Sequence, residues 1–88
     1  MKRVRVRVSG RVQNVWFRAS TEDMARSRDL AGWVRNLPDG SVEAAFEGLD
    51  ADVDAAVAWC YDGPELARVD AVERFDEQPE GLTNFAVR

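Results

Sequence analysis

The chain has 88 residues, 45% of them hydrophobic, so it is long enough for one small domain with a single core. Its formal net charge of -4 argues against a general affinity for nucleic acid, and the absence of histidine removes the commonest metal ligand and general base. The apolar stretches are short and interrupted by charges, so neither a membrane span nor a secretory leader is predicted, and the expected location is the cytoplasm.

The first predicted element is a strand in which valine and arginine alternate strictly. Successive side chains of a strand point to opposite faces, so this segment has one apolar and one basic face. The pattern predicts a half-buried strand over residues 3–8. The apolar face consists of Val4, Val6 and Val8, and the basic face of Arg3, Arg5 and Arg7.

A helix and a hairpin are predicted next. Small and apolar side chains recur at helical spacing along residues 17–28. Residues 31–37 and 41–48 have strand character and flank Pro38-Asp39-Gly40, where proline suits the first turn position and glycine the exit. The apolar helix face consists of Phe17, Thr21, Met24 and Ala25, and the buried face of the hairpin of Val42, Ala44 and Phe46.

The second half of the chain predicts a helix and two further strands. Asp50 can cap the helix, which Gly63-Pro64 ends. Residues 66–75 form the next strand, where the spacing of two valines implies a bulge, and residues 84–88 can close the sheet. The apolar helix positions are Val53, Ala56, Val57 and Cys60, and the two valines are Val69 and Val72.

The order of these elements is β-α-β-β-α-β with a tail. It predicts an α+β fold, the ferredoxin-like split βαβ sandwich. We expect an antiparallel sheet of four to five strands with both helices on one face.

The segment of residues 9–18 joins the first strand to the first helix, so successive backbone N–H groups can converge there and bind an anion. Arg18 lies in or beside the first helical turn, where a cation opposes the helix dipole at a cost of up to about 1 kcal/mol. An anion held between Arg18 and the N–H groups would remove this conflict. The alternative is an ordinary surface ion pair with a carboxylate such as Glu22.

The residue types in this loop narrow its chemistry. It lacks the Gly-Lys-Ser/Thr ending of nucleotide-binding loops, which disfavours a magnesium nucleotide site. The spacing from Val12 to Arg18 resembles the Cys-x5-Arg loop of tyrosine phosphatases with valine in place of cysteine. No covalent phosphoenzyme can form at that position, so hydrolysis is expected to proceed by direct attack of water.

Two motifs resemble those of the acylphosphatase family. Residues 10–18 read Gly-Arg-Val-Gln-Asn-Val-Trp-Phe-Arg and resemble its G-x-V-Q-G-V-x-F-R motif. Residues 32–36 read Gly-Trp-Val-Arg-Asn and, continued through residues 40–42 to Gly48, are similar to its G-W-V-x-N-x-x-x-G-x-V stretch. Because the element order also fits, the resemblance implies that residues 1–88 form a single acylphosphatase-like domain.

The resemblance implies hydrolysis of the carboxyl-phosphate bond of small-molecule acyl phosphates, giving a carboxylate and inorganic phosphate without metal or cofactor. It implies that Arg18 binds the phosphoryl group and that Asn36 holds the attacking water. No nucleic acid or membrane partner is expected, and the protein is expected to be a monomer. The residues expected to bind phosphate are Val12, Gln13, Asn14, Val15, Trp16, Phe17 and Arg18.

Two alternatives stay open from the sequence. A non-catalytic module of the same fold could sense an anionic metabolite, and only kinetics separates it from an enzyme. Asn36 could be a turn asparagine that bonds its own backbone before Pro38, although the two motifs together favour the catalytic role.

The chain departs from the family pattern at two positions, where Asn14 and Asp29 stand in place of glycine. Both glycines are expected to have positive φ. Asn and Asp tolerate that region best among the other residues, so the backbone geometry is expected to survive. Asn14 could also place its amide near the ligand.

The remaining features have simpler explanations. The basic face of the first strand could bind RNA, but the aromatic residues needed for base stacking are missing, and acids on neighbouring strands can neutralise it. Cys60 is expected in the core, and Trp16 is expected to border the site. The neutralising acids are expected to be Glu43, Glu47 and either Asp70 or Glu73.

The charged residues are unevenly distributed, with Lys2 the sole lysine among many acidic residues. One hypothesis is a halophile protein, whose hydrated acidic surface resists precipitation. The alternative is a GC-rich genome, which favours arginine codons. A melting temperature that does not rise between low and molar salt would contradict salt adaptation.

Overall fold

The structure is a computed structural model that describes all 88 residues. It contains five strands and two helices in the predicted order. Neither helix combines the length and the apolar character that crossing a membrane requires. The bounds are β1 Lys2–Arg11, α1 Phe17–Ser27, β2 Ala31–Asn36, β3 Val42–Gly48, α2 Asp50–Cys60, β4 Arg68–Glu77 and β5 Phe85–Val87.

The strands form one sheet in the order β4-β1-β3-β2-β5. The pairs among β4, β1, β3 and β2 are antiparallel, but β5 is parallel to β2, so the sheet is mixed rather than antiparallel throughout. The reason is the path of the chain. After β4 it reverses once and then runs in the direction of β1 and β2, so a last strand beside β2 pairs with it in parallel. The α+β class itself is confirmed.

The core lies between the two helices and one face of the sheet. The three valines of β1 are fully buried there, as their alternation predicted. Burial raises the pKa of the Cys60 thiol to about 12, so this cysteine is a core residue, as predicted, and not a thiolate nucleophile. The hairpin contributes Val42, Ala44 and Phe46 to this core, and the helices Phe17, Ala25, Val53, Ala56, Val57 and Cys60.

The predicted bulge in β4 is present. The register between β1 and β4 shifts by one residue at Ser9/Gly10, where β4 contains one extra residue. The shift brings Val69 and Val72 to the same face, and both pack against the core. An alternation that is imperfect in the sequence is therefore restored in the sheet.

The start of β4 and the cap of α2 differ from the predictions. Residues 64–67 form a turn, closed by the N–H of Ala67 donating to the carbonyl of Pro64 at 2.9 Å, so β4 begins two residues later than predicted. The prediction that Asp50 caps α2 is wrong. Leu49 holds the cap position without a side-chain bond, and Asp50 lies in the first turn with Asp52, where the helix dipole favours carboxylates.

The outer face of the sheet carries a layer of ion pairs that neutralises the basic row, as predicted. Glu77 was not predicted to take part, yet its carboxylate contacts both Arg3 at 3.0 Å and Arg5 at 2.9 Å. Asp70 instead pairs with Arg68 on its own strand. The further pairs of the layer are Arg3–Glu47, Arg5–Glu43, Arg7–Glu73 and Arg7–Asp39.

Glu47 connects this layer to the loop before β5. Its buried carboxylate accepts the backbone N–H groups of Glu80 at 2.8 Å and of Gly81 and Leu82 at 2.9 Å. Burial opposes its ionisation, but the three N–H donors and the neighbouring Arg3 outweigh burial and lower the pKa of Glu47. The charged form therefore stabilises the path of the chain into β5.

We expect Glu47→Gln to destabilise the fold by about 3 kcal/mol at neutral pH, because the variant loses the charge that accepts these N–H groups and pairs with Arg3. The pKa of Glu47 is lowered on folding. Its contribution is therefore complete above the unfolded value of 4.5 and is lost as pH falls through the folded value.

Urea unfolding of the variant and the wild type at pH 7 and pH 3 measures the loss of stability and its pH dependence. The difference in the free energy of unfolding between the two proteins is expected to be smaller at pH 3. Glu65→Gln is the matched control, because Glu65 is exposed and forms no ion pair. Equal stability of Glu47→Gln and the wild type at pH 7 would contradict the role of Glu47.

Candidate active site

Two valines fix the loop between β1 and α1 to the core. Val12 and Val15 are buried, whereas Asn14 and Trp16 are exposed. Gly10 has a φ of +127°, and an added Cβ would lie 2.2 Å from the carbonyl oxygen of Arg68 on the adjacent strand. The loop thus leaves the sheet at a point that only glycine permits.

Two non-glycine residues of the loop adopt the left-handed conformation. Asn14 has a φ of 62° and Trp16 a φ of 66°. Asp29, after α1, has a φ of 55°, so the positive φ expected at both departures from the family glycines is confirmed. The conformation of Trp16 was not expected, since a bulky residue there costs about 1–2 kcal/mol.

The backbone N–H groups of residues 13–19 donate to no carbonyl or side chain of the protein. Those of residues 17–19 belong to the first turn of α1, which has no intrahelical acceptor for them. Unpaired N–H groups next to left-handed residues, here Asn14 and Trp16, are typical of loops that bind anions. The helix dipole adds positive potential at the same place.

The side chain of Gln13 connects the loop to the β2–β3 hairpin. Its Nε2 donates to the carbonyl oxygens of Leu37 at 2.8 Å and Ser41 at 2.9 Å. This side chain therefore points to the hairpin turn, and only the backbone N–H of Gln13 is left for a ligand. The same holds for Val15, whose side chain is in the core.

Arg18 is the second residue of α1, in a first turn that contains no acidic residue. No carboxylate lies within 4.0 Å of its guanidinium, and Glu22 pairs with Arg26 at 3.1 Å instead. The alternative of an ordinary Arg18–Glu22 ion pair is thus wrong. The exposed guanidinium remains an uncompensated positive charge at the N-terminus of the helix.

Asn36 is the last residue of β2 and is half-buried. Its side-chain amide forms no hydrogen bond within the protein, and the bond of the hairpin turn is made by Asp39, whose Oδ1 accepts the N–H of Ser41 at 3.0 Å. The hydrogen bond from the Ser41 hydroxyl, and after it the one from the Ser41 N–H, lowers the pKa of Asp39. The turn-asparagine interpretation of Asn36 is therefore not supported.

Arg18 and Asn36, the two main candidates for the active site, line one cleft of about 490 Å³. Glu22, Ala19 and Val87 line it as well and were not assigned to the site from the sequence. Glu22 follows Arg18 by one helical turn, a spacing that could have revealed it, whereas the position of Val87 depends on the parallel pairing of β5. The full lining is Val12, Asn14, Trp16, Phe17, Arg18, Ala19, Glu22, Asn36 and Val87.

Most of the polar groups in this cleft are suited to binding and positioning. It offers a guanidinium, backbone N–H groups, two side-chain amides and one carboxylate. Nowhere in the structure do three or more His, Cys, Asp or Glu side chains cluster in a way that could hold a metal ion. The donors suit an anion bearing several oxygens.

The family model described as acylphosphatase matches residues 4–87. The chain belongs to the acylphosphatase family. It is 55% identical to an acylphosphatase from Haloarcula marismortui and 52% identical to one from Natronomonas pharaonis, in both cases over 98% of this chain and 94% of the relative.

A solved structure of an acylphosphatase from Bacillus subtilis superposes on this chain with a TM-score of 0.96. The two are 34% identical, and the superposition covers 100% of this chain and 99% of that one. Fold, family and the length of the match agree, so the activity of the protein is the hydrolysis of acyl phosphates.

The carboxylate of Glu22 is expected to weaken anion binding, because it is the one negative charge in the cleft. Glu22→Gln is predicted to strengthen inhibition by inorganic phosphate roughly twofold, a modest gain since Arg26 already offsets part of the charge. Competitive inhibition at low salt measures it. Asp23→Asn is the matched control, because Asp23 is exposed, unpaired and outside the cleft. If inhibition by phosphate strengthened equally in this control, the effect would come from the net charge of the protein and not from the position of Glu22.

Proposed function

We propose that the phosphoryl group of an acyl phosphate binds to Arg18 and the N–H groups of residues 12–18, and that a water held by Asn36 attacks the phosphorus directly. The observation that carries this proposal is the pairing of two uncommitted side chains. Arg18 has no ion pair, the Asn36 amide has no hydrogen bond, and both line the cleft beside unpaired N–H groups.

The proposed step needs little acid-base chemistry. The carbonyl oxygen of Asn36 accepts a hydrogen bond from the water and orients it, but an amide is too weak a base to remove the proton. The water oxygen forms a bond to phosphorus while the bond to the bridging oxygen breaks. The acyl group leaves as a carboxylate, which needs no protonation, and the proton passes to a phosphoryl oxygen.

Most of the catalysis is then positioning and charge stabilisation. Arg18 and the loop residues with unpaired N–H groups line one cleft, which supports a role for them in stabilising the charge on the equatorial oxygens as the bonds exchange. Gln13 acts as a positioning residue, because its bonds to Leu37 and Ser41 hold the loop next to the strand that carries Asn36.

The proposal includes reaction without a metal ion, since the donors of the cleft are suited to oxyanions. It also includes a monomer that acts in the cytoplasm and binds no nucleic acid. The neutralised arginines of the outer sheet face support the last point, and the single buried cysteine is in keeping with a reducing compartment.

Hydrolysis of benzoyl phosphate tests the assignments of Arg18 and Asn36. Arg18→Ala is expected to lower kcat/KM by about 10³ and to weaken inhibition by phosphate, because the variant loses the fixed charge. Asn36→Ala is expected to lower kcat by about 10²–10³ while phosphate still inhibits, because only the water is affected. EDTA is expected to leave the wild-type rate unchanged.

Arg11→Ala is the matched control, because Arg11 is another exposed arginine without an ion pair but lies outside the cleft. Near-normal turnover in Arg18→Ala or Asn36→Ala would remove the role assigned to that residue. A well-folded wild type that shows no turnover at low or high salt would favour the non-catalytic anion-sensing module.

A further inference from the structure

Two exposed apolar side chains of the cleft have no part in the proposed phosphoryl chemistry. Trp16 is 73% exposed and Val87 is 41% exposed, and both line the cleft with Arg18 and Asn36. Neither belongs to the hydrophobic core. Their exposure next to an anion site is therefore not explained by folding.

The backbone of Trp16 supports a function for its side chain. Its φ of 66° and ψ of 16° are left-handed, and a bulky residue is an outlier in that region. Such outliers cluster at ligand clamps and active sites. The indole is thus held outside the core by a conformation that tryptophan does not favour.

The cleft has space for more than a phosphate. Its volume of about 490 Å³ falls in the range of roughly 300–1,000 Å³ that is typical of pockets for small organic ligands. In an acyl phosphate one bridging oxygen separates the phosphorus from the acyl carbon. A phosphoryl group bound next to Arg18 therefore places the acyl group within the same cleft.

We propose that Trp16 and Val87 form an apolar face that receives the acyl group and selects substrates with an uncharged aromatic or extended apolar acyl group over acetyl phosphate. This inference rests on the proposed function, which places the phosphoryl group at Arg18. An indole face binds aromatic rings by stacking and aliphatic chains by burial of apolar area. The carboxylate of Glu22 in the same cleft disfavours acyl groups that carry a negative charge.

The ratio of kcat/KM for benzoyl phosphate to that for acetyl phosphate tests the proposal. The wild type is expected to prefer benzoyl phosphate by about tenfold or more. Trp16→Ala is expected to lower this ratio roughly tenfold, mainly through KM for benzoyl phosphate, and Trp16→Phe to restore most of it. Val87→Ala is expected to lower it by a smaller factor. Leu66→Ala, an exposed apolar residue outside the cleft, is the control with an unchanged ratio.

A binding measurement separates this proposal from the proposed function. Calorimetry with phenylphosphonate and methylphosphonate, which lack the hydrolysable bond, is expected to show tighter binding of the phenyl compound to the wild type and loss of that difference in Trp16→Ala. Absence of turnover with this difference intact would overturn the catalytic function alone. An equal loss for both substrates in Trp16→Ala, or equal affinity of the wild type for both phosphonates, would overturn the apolar face.

Discussion

The constraint on which the site depends is the double attachment of the loop before α1. Val12, Val15 and Phe17 are buried in the core, and Gln13 is bonded to two carbonyl oxygens of the hairpin turn. Between these anchors the backbone passes through left-handed conformations at Asn14 and Trp16. The anchors hold the strain, and the result is a row of N–H groups without protein acceptors next to a helix N-terminus.

The rest of the fold serves to place other groups around that loop. The Gln13 bonds bring it beside β2, whose last residue is Asn36. On the outer sheet face, the carboxylate of Glu47 fixes the backbone at residues 80–82, from which the chain enters β5 beside β2. Val87 reaches the cleft by this route. The buried carboxylate of Glu47 on the outer face of the sheet thus helps to shape the cleft at the end of β2.

Local patterns in the sequence predicted most of the fold, because the valine alternation, the helical spacings and the turn residues each act over a few positions. The motifs identified the loop, Arg18 and Asn36. The family glycines at positions 14 and 29 predicted a positive φ there, which Asn and Asp tolerate. The parallel β5, the double contact of Glu77 and the place of Val87 depend on contacts between distant segments. The left-handed Trp16 contradicts residue preference and follows from the anchors on either side.

In the proposed reaction, water attacks phosphorus and not the acyl carbon. Hydrolysis of benzoyl phosphate in water enriched with oxygen-18, analysed by mass spectrometry of both products, distinguishes the two routes. A loop and arginine that hold the phosphoryl group, with Asn36 orienting the water toward it, predict that the label appears in phosphate and that benzoate stays unlabelled. Label in benzoate would show attack at the carbonyl carbon and would rule out attack at phosphorus.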